Sequence, residues 1–147
     1  MQAFNDSVTK WMTGPVITVP AEATIIDADQ LMTEHGIRRL PVLENNRLVG
    51  IISRGDVREA RASAATSLSM WELNYLIARL TVKKIMTKDV TTIMPSYTVA
   101  DAADIMLNQK VSGLPVVDVS GNLLGILTES DIFRIIVEAR REASTSI

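Results

Sequence analysis

The chain is written twice. Val8, Lys10, Met12, Thr13, Val16, Thr18, Thr24, Asp27, Ala28, Met32, Leu40, Pro41 and Val42 recur 74 residues later as Val82, Lys84, Met86, Thr87, Val90, Thr92, Thr98, Asp101, Ala102, Met106, Leu114, Pro115 and Val116. From Leu48 onward the offset is 75, with Leu48, Gly50, Ile51 and Asp56 recurring as Leu123, Gly125, Ile126 and Asp131. A repeat of this kind means that each copy is one supersecondary unit with an apolar face it cannot bury alone. The inserted residue falls where ENNR of the first copy faces DVSGN of the second, between two apolar runs. Solvent-facing hairpin turns accept such a change in length.

Within each copy the pattern predicts β-α-β-β-α. VITV and VTTI are short β-branched runs. In the segments that follow, Ile25, Ala28, Leu31 and Met32, and Val99, Ala102, Ile105 and Met106, fall at helical spacing. RRLPVL with RLVGIIS, and SGLPVV with LLGILT, flank Asn45-Asn46 and Ser120-Gly121-Asn122, residues that tolerate positive φ, and read as hairpins. Ser53 and Thr128 then open the second helix of each copy. A lead-in, SVTKWMT or LTVKKIMT, precedes each unit. The expected organisation is a first repeat over 8–66, a linker helix over 67–81 capped by Ser67 or Ser69, a second repeat over 82–138 and a tail over 139–147. A three-stranded unit of about 60 residues buries too little surface to be comfortable alone. The expectation is therefore an α+β fold whose two pseudo-symmetric repeats pack sheet to sheet, neither half folding well by itself.

Composition narrows the function. Of 147 residues, 47% are apolar and 22% charged, which is globular composition. Fifteen Lys and Arg against 17 Asp and Glu give a net charge of −2, so no global basic field gathers nucleic acid or anionic lipid. Cysteine is absent and histidine occurs once, as His35. Thiolate chemistry is thereby excluded, and neither a catalytic site nor a metal site is expected. No stretch approaches a membrane span, and the N-terminal segment lacks an apolar signal core, so a cytoplasmic protein is the expectation. The methionines read as core filling, and Trp11 and Trp71 as packing or interface anchors.

The sharpest repeated element is GIISRGD at Gly50 to Asp56 and GILTESD at Gly125 to Asp131. A strand delivers a hydroxyl residue, and an aspartate three residues on begins a helix. One reading is a capping box that satisfies helix N–H groups. The other is a ligand site, because a helix N-terminus attracts anions and a carboxylate in its first turn can accept both hydroxyls of a ribose. The two are compatible.

The ordered double pattern of I-M-T, T-h-x-x-A, L-P-V and G-h-h-[ST]-x-x-D resembles a tandem pair of cystathionine-beta-synthase (CBS) domains, a Bateman module, over about residues 8 to 138. The stretch MWELNYLIARLTVKKIMT carries a fainter resemblance to small acetoin-utilisation proteins. The CBS resemblance implies a pseudo-dimer with two clefts between its halves. These would take an adenosine-containing ligand such as AMP, ADP, ATP, NAD or S-adenosylmethionine, with no cofactor required. It further implies association into a homodimer. Carried across residue by residue, the first cleft would use Ser53, Asp56, Arg38 and Arg39, helped by Arg54, with Thr91, Val111 and Ser112 near the base. The second would use Thr128 and Asp131, with Ile17, Ile37 and Arg38 near the base, but Ser112 and Gly113 stand where arginines would meet phosphate. Phosphate recognition should then be lopsided, because serine and glycine cannot replace arginine's charge-assisted contacts. The implied function is a non-catalytic regulatory module that senses an adenine nucleotide and acts on an unidentified partner protein. The alternative is a constitutive dimerisation scaffold whose aspartates only cap helices.

Overall fold

The structure is a computed structural model that describes residues 2–65 and 68–145. The chain divides into two compact units, Ile17–Val90 and Met1–Val16 with Thr91–Ile147. The Ile17–Val90 unit runs β1 (Val19–Pro20), α1 (Ile25–His35), β2 (Arg39–Glu44), β3 (Arg47–Ser53), α2 (Arg54–Ala64), α3 (Met70–Arg79) and α4 (Val82–Ile85). The other unit opens with two 3-10 turns, Gln2–Asn5 and Val8–Lys10, and continues with α5 (Val99–Gln109), β4 (Gly113–Val117), β5 (Leu123–Thr128) and α6 (Glu129–Thr145).

Each copy forms its expected hairpin. β2 pairs antiparallel with β3, and β4 with β5, with a register shift at Val42/Leu43 and at the equivalent Val116/Val117. The first turn is Asn45-Asn46, at φ 53° and 62°. The longer second turn places Gly121 at φ 85°. There the Asp118 carboxylate accepts the N–H groups of Ser120 and Asn122, both at 2.9 Å. The Asn122 backbone N–H, then its side chain, hold that carboxyl below its ordinary value. The inserted residue therefore lies in solvent-facing turn structure.

The first strands are smaller than the β-branched runs predict. β1 contributes two residues, parallel to β2, while the second copy has only a bridge from Ile93 to Val116. The difference has a simple cause. Ala21 N–H donates to Leu43 C=O at 3.1 Å and extends the first ladder, but its counterpart in the second copy is Pro95, which has no N–H to give.

The lead-ins are exchanged. The second copy's lead-in joins the first copy's hairpin, where Ile51 and Thr87 donate reciprocal backbone hydrogen bonds of 3.0 and 2.9 Å. The first copy's lead-in does the same for the second hairpin, through Thr13 and Ile126 at 2.9 and 3.1 Å. Met86 lies over Gly50 and Met12 over Gly125, so close that an added Cβ would fall 2.8 Å from each methionine Cγ. The compact units therefore cut across the sequence repeats.

The core of the Ile17–Val90 unit centres on Ile25, Met32, Leu40, Val42 and Ile52, joined by Val82 and Met86 of the exchanged lead-in. α3, capped by Ser69 through a capping box with Glu72, closes it with Ile77. Ser67, the other expected cap, lies outside the described residues. In the second unit Val8, Ile93, Ala102, Leu114, Val116 and Leu127 form the core. Of the periodic positions of α1 and α5, Ile25, Ala28 and Met32, and Val99, Ala102 and Met106, are buried, while Leu31 and Ile105 pack half-buried against the cores.

Because each glycine accommodates a methionine, Gly50→Ala and Gly125→Ala should each destabilise the protein by about 1–3 kcal/mol through overpacking. Gly55→Ala, exposed in α2 with its nearest foreign atom at 3.6 Å, should be neutral or stabilising. Urea unfolding of the three variants tests this, and equal effects at all three positions would contradict it.

Candidate functional site

Both motif aspartates sit in the first turn of a helix that a β-strand feeds directly. At α2, Ser53 Oγ accepts the Asp56 N–H at 3.1 Å, and Asp56 Oδ2 accepts the Ser53 N–H at 2.8 Å. This is a complete capping box. The same arrangement caps α1 through Thr24 and Asp27, and α5 through Thr98 and Asp101. Capping alone is thus sufficient to account for the spacing of hydroxyl and carboxylate, and any ligand role must rest on what surrounds them.

Those surroundings converge at the end of each hairpin. Arg39 pairs directly opposite Ser53, and Arg54 N–H donates to Arg38 C=O at 2.8 Å. The backbone pairings therefore place Arg38, Arg39, Ser53, Arg54 and Asp56 at the same end of the β2–β3 hairpin. The second copy repeats the geometry with other residues. Gly113 pairs opposite Thr128, and Glu129 N–H donates to Ser112 C=O at 3.0 Å. Where the first hairpin end has three arginines, the second thus has a serine, a glycine and a glutamate. The Arg54 side chain turns back to α1, where Nη2 donates to Thr33 Oγ1 at 3.4 Å. Its buried Nε has no hydrogen-bond partner among the described residues.

The two aspartates also differ. Asp131 is 2% exposed, and both of its oxygens are engaged. Oδ2 accepts the Thr128 N–H at 2.8 Å and the Thr128 hydroxyl at 3.2 Å, while Oδ1 accepts Arg134 Nη1 at 3.1 Å. Asp56 is half-buried, and among the described residues no ion pair engages it. The residue three positions further on is Glu59, where the second copy has Arg134. An open cavity of about 530 Å³ begins at Asp56 and runs along Glu59 and Ser63 of α2 past Leu80 and Lys84. Of the candidate ligand residues, Asp56 alone is among those lining it. Sequence reading missed both Glu59 and Arg134. The signal was the mismatch between the copies at that position.

The remaining candidates divide between the units. Ile17 and Ile37 pack against the core of the Ile17–Val90 unit, and Val111 against that of the other. Thr91 and Ser112 are half-buried in the second unit. His35 is exposed at the end of α1. Trp11 donates Nε1 to Asp6 at 3.1 Å, whereas Trp71 stacks on Tyr75 with 5.7 Å between ring centres and stays 75% exposed. Among the described residues no three His, Cys, Asp or Glu side chains gather to hold a metal, and no helix is long and apolar enough to cross a membrane.

The sequence profile of the CBS domain matches residues 8–63 and 82–138. The chain is 42% identical over 118 residues to an inosine-5'-monophosphate dehydrogenase of Korarchaeum cryptofilum, covering 80% of this chain but 22% of that enzyme. It spans less than half the length of the first curated relatives it matches. Those named as enzymes are larger proteins in which the matching part is a minor region. Among solved structures, the CBS domain pair of protein MJ0100, in complex with 5'-methylthioadenosine and S-adenosyl-L-methionine, superposes with a TM-score of 0.78 at 29% identity, over 91% of this chain and 98% of that one. CBSX2 in complex with AMP does so with a TM-score of 0.76 at 30% identity, over 91% and 98%. With the family's pattern matched twice, over 8–63 and 82–138, and the α+β pattern of each copy present, the chain belongs to the CBS domain family as a small domain pair.

Proposed function

We propose that this CBS pair is a non-catalytic regulatory module that binds a phosphorylated adenosine ligand, chiefly through the first copy. The observation that carries this reading is the hairpin end at which the backbone places Arg38 and Arg39, with Arg54 following, beside Ser53 and Asp56, where the second copy has Ser112, Gly113 and Glu129. A carboxylate suits the ribose diol, and guanidinium groups suit phosphate. The adenine-lining roles of Ile17, Ile37, Thr91, Val111 and Ser112, and the lesser site at Thr128 and Asp131, belong to the same proposal. Relatives solved with AMP, 5'-methylthioadenosine and S-adenosyl-L-methionine support the ligand class. The same reading sets the protein in the cytoplasm, where adenine nucleotides are held. A partner protein would read the bound state, and the ligand can shift that state only by its differential affinity for two conformations.

A second reading is favoured by the capping boxes of α1 and α5, which show the motif spacing used for capping alone. On that reading the protein is a dimerisation scaffold, and nucleotides do not stabilise it. A thermal-shift comparison decides between the two. AMP at about 100 times its dissociation constant should add roughly 2.7 kcal/mol, on the order of 5 to 10 °C in Tm for a chain of this size. Adenosine should give a much smaller shift. Equal shifts would remove the arginines from the site, and no shift with either would favour the scaffold.

Self-association is part of the proposal. Met70 and Trp71 on α3, and Phe133, Ile136 and Val137 on α6, are large apolar side chains left between 47% and 75% exposed. A homodimer would cover them. Light scattering over a tenfold dilution series should give the dimer mass, and a monomer mass throughout would contradict it.

A further inference from the structure

The two motif carboxylates are built alike in sequence but are not equally available. Holding a ribose requires a carboxylate to accept two further hydrogen bonds. Asp131 already accepts from the Thr128 N–H, the Thr128 hydroxyl and Arg134 Nη1, and is 2% exposed. Asp56 accepts the Ser53 N–H on Oδ2, is half-buried, and opens on the 530 Å³ cavity. The difference lies in one helical turn. Arg134, with a side chain 56% exposed, reaches back to Asp131, whereas the matching residue of the first copy is Glu59, which repels a carboxylate.

We infer that Arg134 is a built-in competitor for the ligand, a latch that holds the second copy's ribose-accepting carboxylate closed and confines adenosine ligands to the first copy. This inference rests on the proposed reading of Asp56 and extends it to the stoichiometry of the pair. Arg134 takes one of the roughly four acceptor positions of the Asp131 carboxylate and Thr128 two more, which leaves one where a ribose diol needs two. A ligand at the second copy must therefore first expel a guanidinium group from a nearly buried acceptor. A hydrogen bond to a charged acceptor is worth about tenfold to over a hundredfold in affinity. The second copy is penalised by that order. Because the guanidinium stem is half in solvent, the latch can be removed without emptying the core.

Calorimetric titration of the intact chain with AMP tests this. Wild type should bind one tight equivalent per chain with any second at least tenfold weaker, and Arg134→Gln two of similar affinity, the second disappearing when Asp131→Asn is added. In the mirror experiment Glu59→Arg, at an exposed position, should weaken the wild-type equivalent by about tenfold or more. Two equivalents of equal affinity in wild type, or an unchanged second affinity in a cooperatively melting Arg134→Gln variant, would overturn the latch. If Arg134→Gln does not melt cooperatively, Glu59→Arg decides, and unchanged affinity there overturns it. No binding by wild type with one equivalent in Arg134→Gln would sink the Asp56 reading while upholding the latch. No binding by either would sink both.

Discussion

Two pairs of backbone hydrogen bonds, Ile51 with Thr87 and Thr13 with Ile126, tie each hairpin to a segment from the far side of the sequence. Each pair runs beside a glycine, Gly50 or Gly125, that leaves space for a methionine of the same segment. A strand needs partners on its edges, and a small sheet needs something to cover its face. The exchanged lead-in supplies both. Val82 and Met86 complete one core and Val8 contributes to the other, so the chain leaves one unit at Val16 and returns at Thr91 only after building the second. Neither sequence repeat contains the whole of a compact unit.

That arrangement lets the copies diverge where chemistry is done. The bridges, bulges and buried periodic positions are shared, and in both copies they deliver a hydroxyl residue and an aspartate to a hairpin end, where the aspartate accepts the N–H of the hydroxyl residue. The substituents at that end differ: Arg38, Arg39 and Arg54 against Ser112, Gly113 and Glu129, and Glu59 against Arg134. On the proposed reading, phosphate selectivity and carboxylate availability depend on these exposed or half-exposed residues. A duplicated scaffold thus carries two hairpin ends of different charge on cores of the same pattern.

Much of this was legible in the sequence because repeats report burial twice. The helical spacing of Ile25, Ala28 and Met32 and its echo in Val99, Ala102 and Met106 fixed the buried faces, and the length change marked the turns. The short first strands were not legible, because β-branched runs do not show whether a donor follows them, and Pro95 in place of Ala21 ends the second ladder. Nor was the exchange, since the contacts that define it are distant along the chain and leave no local periodicity. At the site, the cap and the charge contrast before each L-P strand could be read directly. The Asp131–Arg134 pair could be found only by asking where the two copies disagree.

The central claim is that the folding unit is the hairpin with the other copy's lead-in, and fragment folding tests it most directly. Residues 17–90 and residues 8–66 would be produced separately and compared by amide chemical-shift dispersion and hydrogen exchange. The account predicts that 17–90 folds with the Ile51 and Thr87 amides protected, while 8–66, which has the same hairpin but its own lead-in, remains largely unfolded. If 8–66 folded as well as 17–90, the exchanged lead-in would not be the element on which the fold depends.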